Sequence, residues 1–185
     1  VCQELLSAVG ESNPERFFQV LEQLGVLEYV SKIWAHSPDC TGIQALNPSA
    51  TMERFWWCCV GQNLERVKAG LDPLRIPKAW HAPACWMSEA AWETMPIEAG
   101  PLLELCQRYD AWRRPDRFKA WLSVCEQHPR IVPRHTGYFE KLAQVHEVTC
   151  YVDVPALQAQ GHVGPDLGQA IWDQRKRLAV QALER

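Results

Sequence analysis

The sequence predicts an all-α protein, and three observations carry that reading. Apolar residues recur at helical spacing along most of the chain, and no stretch sustains the alternation of a half-buried strand. Pro, Asn-Pro and Gly signals also fall where the apolar stripes begin and end. The 185 residues are 47% apolar and 22% charged, which is enough to bury a sizeable core without disulfides or metal.

Asn13 and Pro14 mark the first helix start, with Phe17, Leu21 and Leu24 on one face, Gly25 as the stop, and Val26, Val30 and Ile33 resuming the pattern beyond it. Further starts fall at Pro48, Ser88, Pro101 and Pro115. Leu102, Leu105, Cys106 and Tyr109 come after Pro101, while Phe118, Trp121, Leu122 and Cys125 come after Pro115, two apolar faces expected to pack on each other. Gly161 and Gly164 bracket a turn. A long closing helix then carries Leu167, Ile171, Leu178 and Ala182 in one stripe, with Asp166 in its first turn. Phe17, Leu21, Trp121, Leu122, Leu167 and Ile171 are therefore expected to be buried. The Pro- and Gly-bearing stretch from Ile97 to Pro101 can separate an N-terminal helical layer from a C-terminal one, and no internal repeat or low-complexity segment is visible.

The net charge of -3 gives no global attraction for nucleic acid, so polyanion binding would need a local basic patch. The nine Trp imply a dense core more readily than a stacking surface. The eight Cys show no C-x-x-C pair and no Cys/His ligand spacing, which points to reduced thiols and a cytoplasmic location. No apolar run reaches the length of a membrane span, no basic-then-apolar leader opens the chain, and Val1 in place of Met suggests a fragment.

Chemistry-bearing patterns are sparse. Asp39, Asp72, Asp110, Asp116, Asp153, Asp166 and Asp173 include no D-x-D, and no Gly-rich loop opens a helix for a triphosphate. A surface or capping role is expected for each of His36, His81, His128, His135, His146 and His162, because none is matched with a second ligand at i, i+4. No nucleophile elbow is present, although a Ser or Cys nucleophile stays open.

Three segments carry a family resemblance. YDAWRRPDRF, from Tyr109 to Phe118, is similar to the body of bacterial tRNA nucleotidyltransferases, where an aspartate, a small residue, tryptophan, two basic residues and proline occur in this order. NPERFFQVLEQLGVL, from Asn13 to Leu27, resembles the neck helix of that family, and GHVGPDLGQAIWDQRKRLAV, from Gly161 to Val180, resembles its tail motif. The opening VCQE resembles the end of the neck signature, which makes Glu4 a remnant of nucleotide recognition and places an arginine of that signature before Val1.

The resemblance implies an all-helical neck, body and tail. It assigns residues 1–35 to partial neck helices, 36–100 to a phosphohydrolase-like region, and 101–185 to helices that bind the acceptor and T-arm of tRNA by shape and backbone. The complete enzyme would add cytidine, cytidine and adenosine to tRNA 3′ ends, using CTP, ATP and Mg²⁺ in a head outside this chain. No cofactor, no catalytic residue and no membrane partner are expected for the chain itself. Where many members carry phosphohydrolase ligands, this sequence reads TGIQ and RFWWCCVGQ, so Gln44, Val60 and Gly61 stand in place of a histidine and a histidine-aspartate doublet. An amide, an isopropyl group and a hydrogen cannot hold a divalent ion, so no phosphohydrolase activity is expected.

Arg113, Arg114, Arg117 and Lys119 form one basic cluster, and Arg175, Lys176 and Arg177 form another. Charge alone reads both as solvated helix faces, whereas the resemblance makes them RNA-binding. Two other readings stay open on the sequence: the C-terminal part of a bacterial poly(A) polymerase, and a stand-alone helical interaction or dimerisation module.

Overall fold

The computed structural model describes residues 2–88, 96–131 and 137–184. Among them it has eleven α-helices and no strand: α1 (Cys2–Gly10), α2 (Pro14–Gln23), α3 (Leu27–Val30), α4 (Thr51–Cys59), α5 (Leu64–Leu71), α6 (Lys78–Ser88), α7 (Ala99–Arg108), α8 (Pro115–Gln127), α9 (Tyr138–Thr149), α10 (Val154–Ala159) and α11 (Gly164–Leu183). A short 3₁₀ turn covers Ile43–Ala45. The all-α prediction therefore holds. No helix among the described residues is long and apolar enough to cross a membrane.

The chain forms two compact units, Val1–Glu93 with Ser123–Pro133, and Thr94–Leu122 with Arg134–Arg185. Helix α8 runs through residues of both.

In the first unit α4 is central, packing on α1 and α6. Its residues from Arg54 to Cys59 are all buried, the pattern of a helix enclosed on every side. Aromatic rings radiate from it. Trp34 meets Phe18 at 4.9 Å and Phe55 at 6.0 Å, mostly edge-on, and Phe55 reaches Trp80 at 6.0 Å. Buried indoles keep their N–H groups satisfied where a carbonyl is in reach: Trp34 Nε1 donates to Cys58 O (2.7 Å) and Trp56 Nε1 to Trp80 O (3.0 Å). Buried Arg54 donates from Nη1 to Gly10 O (2.9 Å) and from Nη2 to Glu11 O (3.0 Å), placing a cation at the carbonyl end of α1. Gly70 in α5 has a packing reason, since a Cβ there would lie 2.5 Å from Ile33 Cγ1 and 2.9 Å from Ile33 N.

The second unit is built on α7, α9 and α11, with α10 against α11. Tyr109 and Trp121 meet edge-on at 4.7 Å, Phe118 stacks near Trp121 at 5.5 Å, and Phe139 closes the group at 6.0 Å from Trp121. Gln144 Nε2 donates to Ala182 O (2.8 Å) and so satisfies a terminal carbonyl of α11.

Two helix ends share one device. After α2, Val26 N donates to Leu21 O and Gly25 N to Glu22 O, with Gly25 at φ 66. The same pair of bonds closes α7, from Ala111 N to Cys106 O and from Asp110 N to Gln107 O. There the left-handed position is Asp110, at φ 54, where glycine would be unstrained.

Several expectations need correction. Trp121 and Leu122 are buried, but Phe17, Leu21, Leu167 and Ile171 are only half-buried, and Leu24 is 68% exposed. In α2 the inward residues are Pro14 and Phe18, one position round from the stripe read through Phe17. Ser88 is the last residue of α6 rather than a helix start, and residues 89–95 lie outside the described residues. Pro115 does open α8, whereas α7 begins at Ala99, ahead of Pro101, and α4 at Thr51, past Pro48.

Candidate functional site

The YDAWRRPDRF segment turns the chain from α7 into α8. Its left-handed Asp110 aims a carboxylate at three guanidinium groups, 3.8 Å from Arg113 Nε, 3.5 Å from Arg114 Nε and 3.9 Å from Arg117 Nη2. These pairs are long and partly solvated, so each is weak. The arginines differ in access. The side chain of Arg113 is 86% exposed and that of Arg114 56%, but that of Arg117 only 16%. Arg117 also donates from Nη2 to Tyr109 O (3.5 Å), and burial, then the nearby Arg114, pushes its pKa down. Lys119 is exposed.

The basic run on α11 does not act as one patch. Consecutive residues of a helix are about 100° apart, so Arg175, Lys176 and Arg177 diverge. Arg175 turns inward: its guanidinium lies 3.7 Å from the centre of the Trp112 ring, and its Nε donates to Thr149 O (3.3 Å). Trp112 Nε1 donates to Thr149 Oγ1 (2.9 Å), and Thr149 Oγ1 donates to Val145 O (2.7 Å). Burial lowers the pKa of Arg175. Lys176 and Arg177 remain exposed on the outer side.

Beside this latch opens a cleft of about 620 Å³, lined by Gln107, Asp110, Trp112, Arg113, Gly168, Gln169, Ile171, Trp172 and Arg175. The indoles of Trp112 and Trp172 meet edge-to-face, 6.3 Å apart. Sequence reasoning placed Gly168, Gln169 and Trp172 in the tail segment without singling them out as site residues, and it missed Gln107. The signal was present, because Gly168, Trp172, Arg175, Ala179 and Ala182 share one helical face, and Ala179 and Ala182 are its buried end.

In the first unit, Glu4 is exposed beside a cleft of about 650 Å³ that also carries Tyr29, Lys32 and Arg75. Gln44 is exposed in the 3₁₀ turn, Val60 is buried just beyond α4, and Gly61 sits at φ 72. A Cβ on Gly61 would lie 3.2 Å from Arg130 Nη1, and Arg130 Nε is 2.8 Å from Asp39 Oδ2. A guanidinium–carboxylate pair thus stands beside the glycine where the resemblance expects a metal-binding carboxylate. Among the described residues, no three His, Cys, Asp or Glu side chains gather to hold an ion.

A surface or capping role is expected for each histidine; His36 is exposed, whereas His128 and His146 are buried. His128 is fully buried against Trp57, with ring centres 4.5 Å apart, and its Nδ1 accepts from Arg130 N (3.2 Å). Burial lowers its pKa to about 4, against the weaker opposing pull of Asp39. His146 is buried against Phe118, and His135 lies outside the described residues. Two histidines do have partners at i, i+4. His162 Nδ1 is 2.5 Å from Asp166 Oδ2, and His146 Nε2 is 3.3 Å from Cys150 Sγ. The latter is no nucleophilic couple. His146 Nε2 must carry its proton to donate to Ala111 O (3.1 Å), and burial raises the Cys150 thiol. All eight cysteines are free thiols.

The fold and its cleft thus define an all-helical protein whose second unit joins aromatic rings to exposed arginines, without a catalytic constellation among the described residues. Comparison with known proteins places it further. The chain is 30% identical over 193 residues to the CCA-adding enzyme of Pseudomonas putida strain F1, covering 99% of this chain and 51% of that protein. It is 29% identical over 193 residues to the multifunctional CCA protein of Pseudomonas putida strain KT2440, with the same shares covered. For the multifunctional CCA protein of Hahella chejuensis the identity is 28% over 230 residues, covering 97% of this chain and 53% of the relative. The chain is therefore a homologue of the bacterial CCA-adding enzymes, and it spans about half the length of the curated relatives it matches. No protein-family model matches it, and no solved structure does.

Proposed function

We propose that this chain is the tRNA-binding part of a CCA-adding tRNA nucleotidyltransferase, joined in the complete enzyme to a head that holds Mg²⁺, CTP and ATP on its own carboxylates. The observation that carries the reading is the homology, which takes in 99% of the chain yet only 51% of the relative. The exposed Arg113 and Arg114, with Lys119, Lys176 and Arg177, support it as cations accessible to phosphates, and the half-buried Arg117 and Arg175 hold the surface in shape. Glu4 serves the head's nucleotide selection in this reading and takes no part in gripping RNA.

The test is binding of an acceptor/T-arm minihelix monitored by fluorescence anisotropy across a salt titration. Affinity should fall steeply with salt, with a log-log slope of about -0.7 to -0.9 per phosphate contact. Replacing Arg113 and Arg114 with Ala should weaken all tRNAs alike and make the slope shallower by about one to two contacts. Lys176→Ala with Arg177→Ala should do the same. Affinities and slopes equal to the parent's in both variants would refute the reading and leave a helical interaction module in its place.

A further inference from the structure

We infer that the cleft of the second unit is a subsite for one unpaired RNA base, seated on Trp172 and on the bare backbone of α11 at Gly168. The inference rests on the proposed tRNA binding and adds to it a contact that phosphate recognition does not require.

Gly168 lies in the second turn of a twenty-residue helix, where glycine weakens the helix relative to alanine. Nothing in the fold asks for it. A Cβ built at Gly168 meets no atom within 4 Å, whereas one at Gly70 would lie 2.5 Å from Ile33. Gly168 also has no left-handed backbone to explain it, unlike Gly164 at φ 54. A glycine without an internal reason, on the wall of a cleft, fits close approach by something outside the chain.

The remaining lining names the ligand class. Trp172, half-buried, offers ring surface on the same face of α11, four residues on. One face of the neighbouring Trp112 is already covered by Arg175. Gln107 and Gln169 are exposed on the cleft; Gln169 Nε2 already donates to Asp173 Oδ1 (2.9 Å), which leaves its second N–H and its carbonyl, with the Gln107 amide, to donate to and accept from a base edge. Exposed Arg113 stands at the same cleft to meet the phosphate of that nucleotide, and two arginines against Asp110 leave the lining net positive. A base paired within a duplex cannot enter, so the subsite selects a base from a loop or a single-stranded end.

Gly168→Ala separates the inference from a fold effect. Its melting temperature should rise by about 2–4 °C, because a helix-interior glycine has been replaced. Its affinity for a minihelix with a nucleotide loop and a single-stranded 3′ end should fall about tenfold. Against the same stem closed by a polyethylene glycol linker and trimmed of its overhang, Gly168→Ala and the parent should bind alike. Trp172→Leu, which keeps an apolar side chain but removes the ring, should show the same selective loss. A lowered melting temperature of Gly168→Ala would show that the fold itself needs the glycine and would overturn the inference. Equal affinities of parent and variants for the looped RNA would overturn it too, as would equal losses on both RNAs, which mean backbone contact. A parent that binds neither RNA refutes the tRNA reading and the subsite with it.

Discussion

Arg175 and Arg177 stand two residues apart on one helix, and the structure assigns them opposite consequences. Replacing Arg175 with Ala removes a guanidinium 3.7 Å above the Trp112 ring, a partly desolvated cation–π contact worth about 1 kcal/mol. It also removes the bond to Thr149 O, which at 3.3 Å is long and contributes about 0.5–1 kcal/mol. With the packing of its aliphatic stem, the expected loss is about 2 kcal/mol. Arg177 is exposed, and its Nε reaches only Asp173 O of its own helix at 3.5 Å, so Arg177→Ala should lie within about 0.5 kcal/mol of the parent. Arg175→Lys keeps the charge without the planar face and should recover less than half of the loss. The assay is urea denaturation monitored by far-UV ellipticity, on the three variants and the parent. If Arg175→Ala is as stable as Arg177→Ala, the latch on Trp112 does not hold the second unit together.

Gly70→Ala should destabilise by about 1–3 kcal/mol despite alanine's better helix propensity, because its Cβ would press on the backbone and side chain of Ile33, and a melting curve checks this. His128 is held at a pKa of about 4, below its unfolded value of about 6.5, so the unfolded chain takes up its proton first. Its contribution to stability is full above about pH 6.5 and is lost as pH falls to about 4, a change of up to about 3 kcal/mol. His128→Phe should flatten that part of the stability profile relative to the parent. Purified protein should not turn over a 2′,3′-cyclic nucleotide with added Ni²⁺, Mn²⁺ or Mg²⁺, because Gln44, Val60 and Gly61 offer no ligand set; metal-dependent turnover would contradict this.

The sequence makes legible the part governed by local chemistry. Asn-Pro at 13–14, Gly25 and Pro115 mark their helix ends because backbone restrictions act within a few residues. Which face turns inward is harder to read. In α2 and α11 several faces carry apolar residues, and Phe18 and Ala179, not Phe17 and Leu167, are the ones the rest of the fold covers. The basic run of α11 looks like one patch in one dimension, and the helical turn divides it, sending Arg175 to Trp112 and Arg177 to solvent. The cleft escapes notice in the sequence because its walls come from α7, the turn after it and α11, segments some sixty residues apart that only tertiary packing brings together. His128 and His146 read as surface residues, since nothing local announces that Trp57 and Phe118 will enclose them.

The Asp110 turn has a consequence for tolerance to mutation. Glycine or asparagine would suit its left-handed backbone at least as well, so the backbone alone would accept either. Only a carboxylate there gives Arg113, Arg114 and Arg117 a common counter-charge. It keeps the three cations gathered on one side of the turn, through long pairings that are exposed at Arg113 and Arg114 and largely enclosed at Arg117. Position 110 is thus under two demands that pull in different directions, and the residue found there accepts some backbone strain to keep its charge.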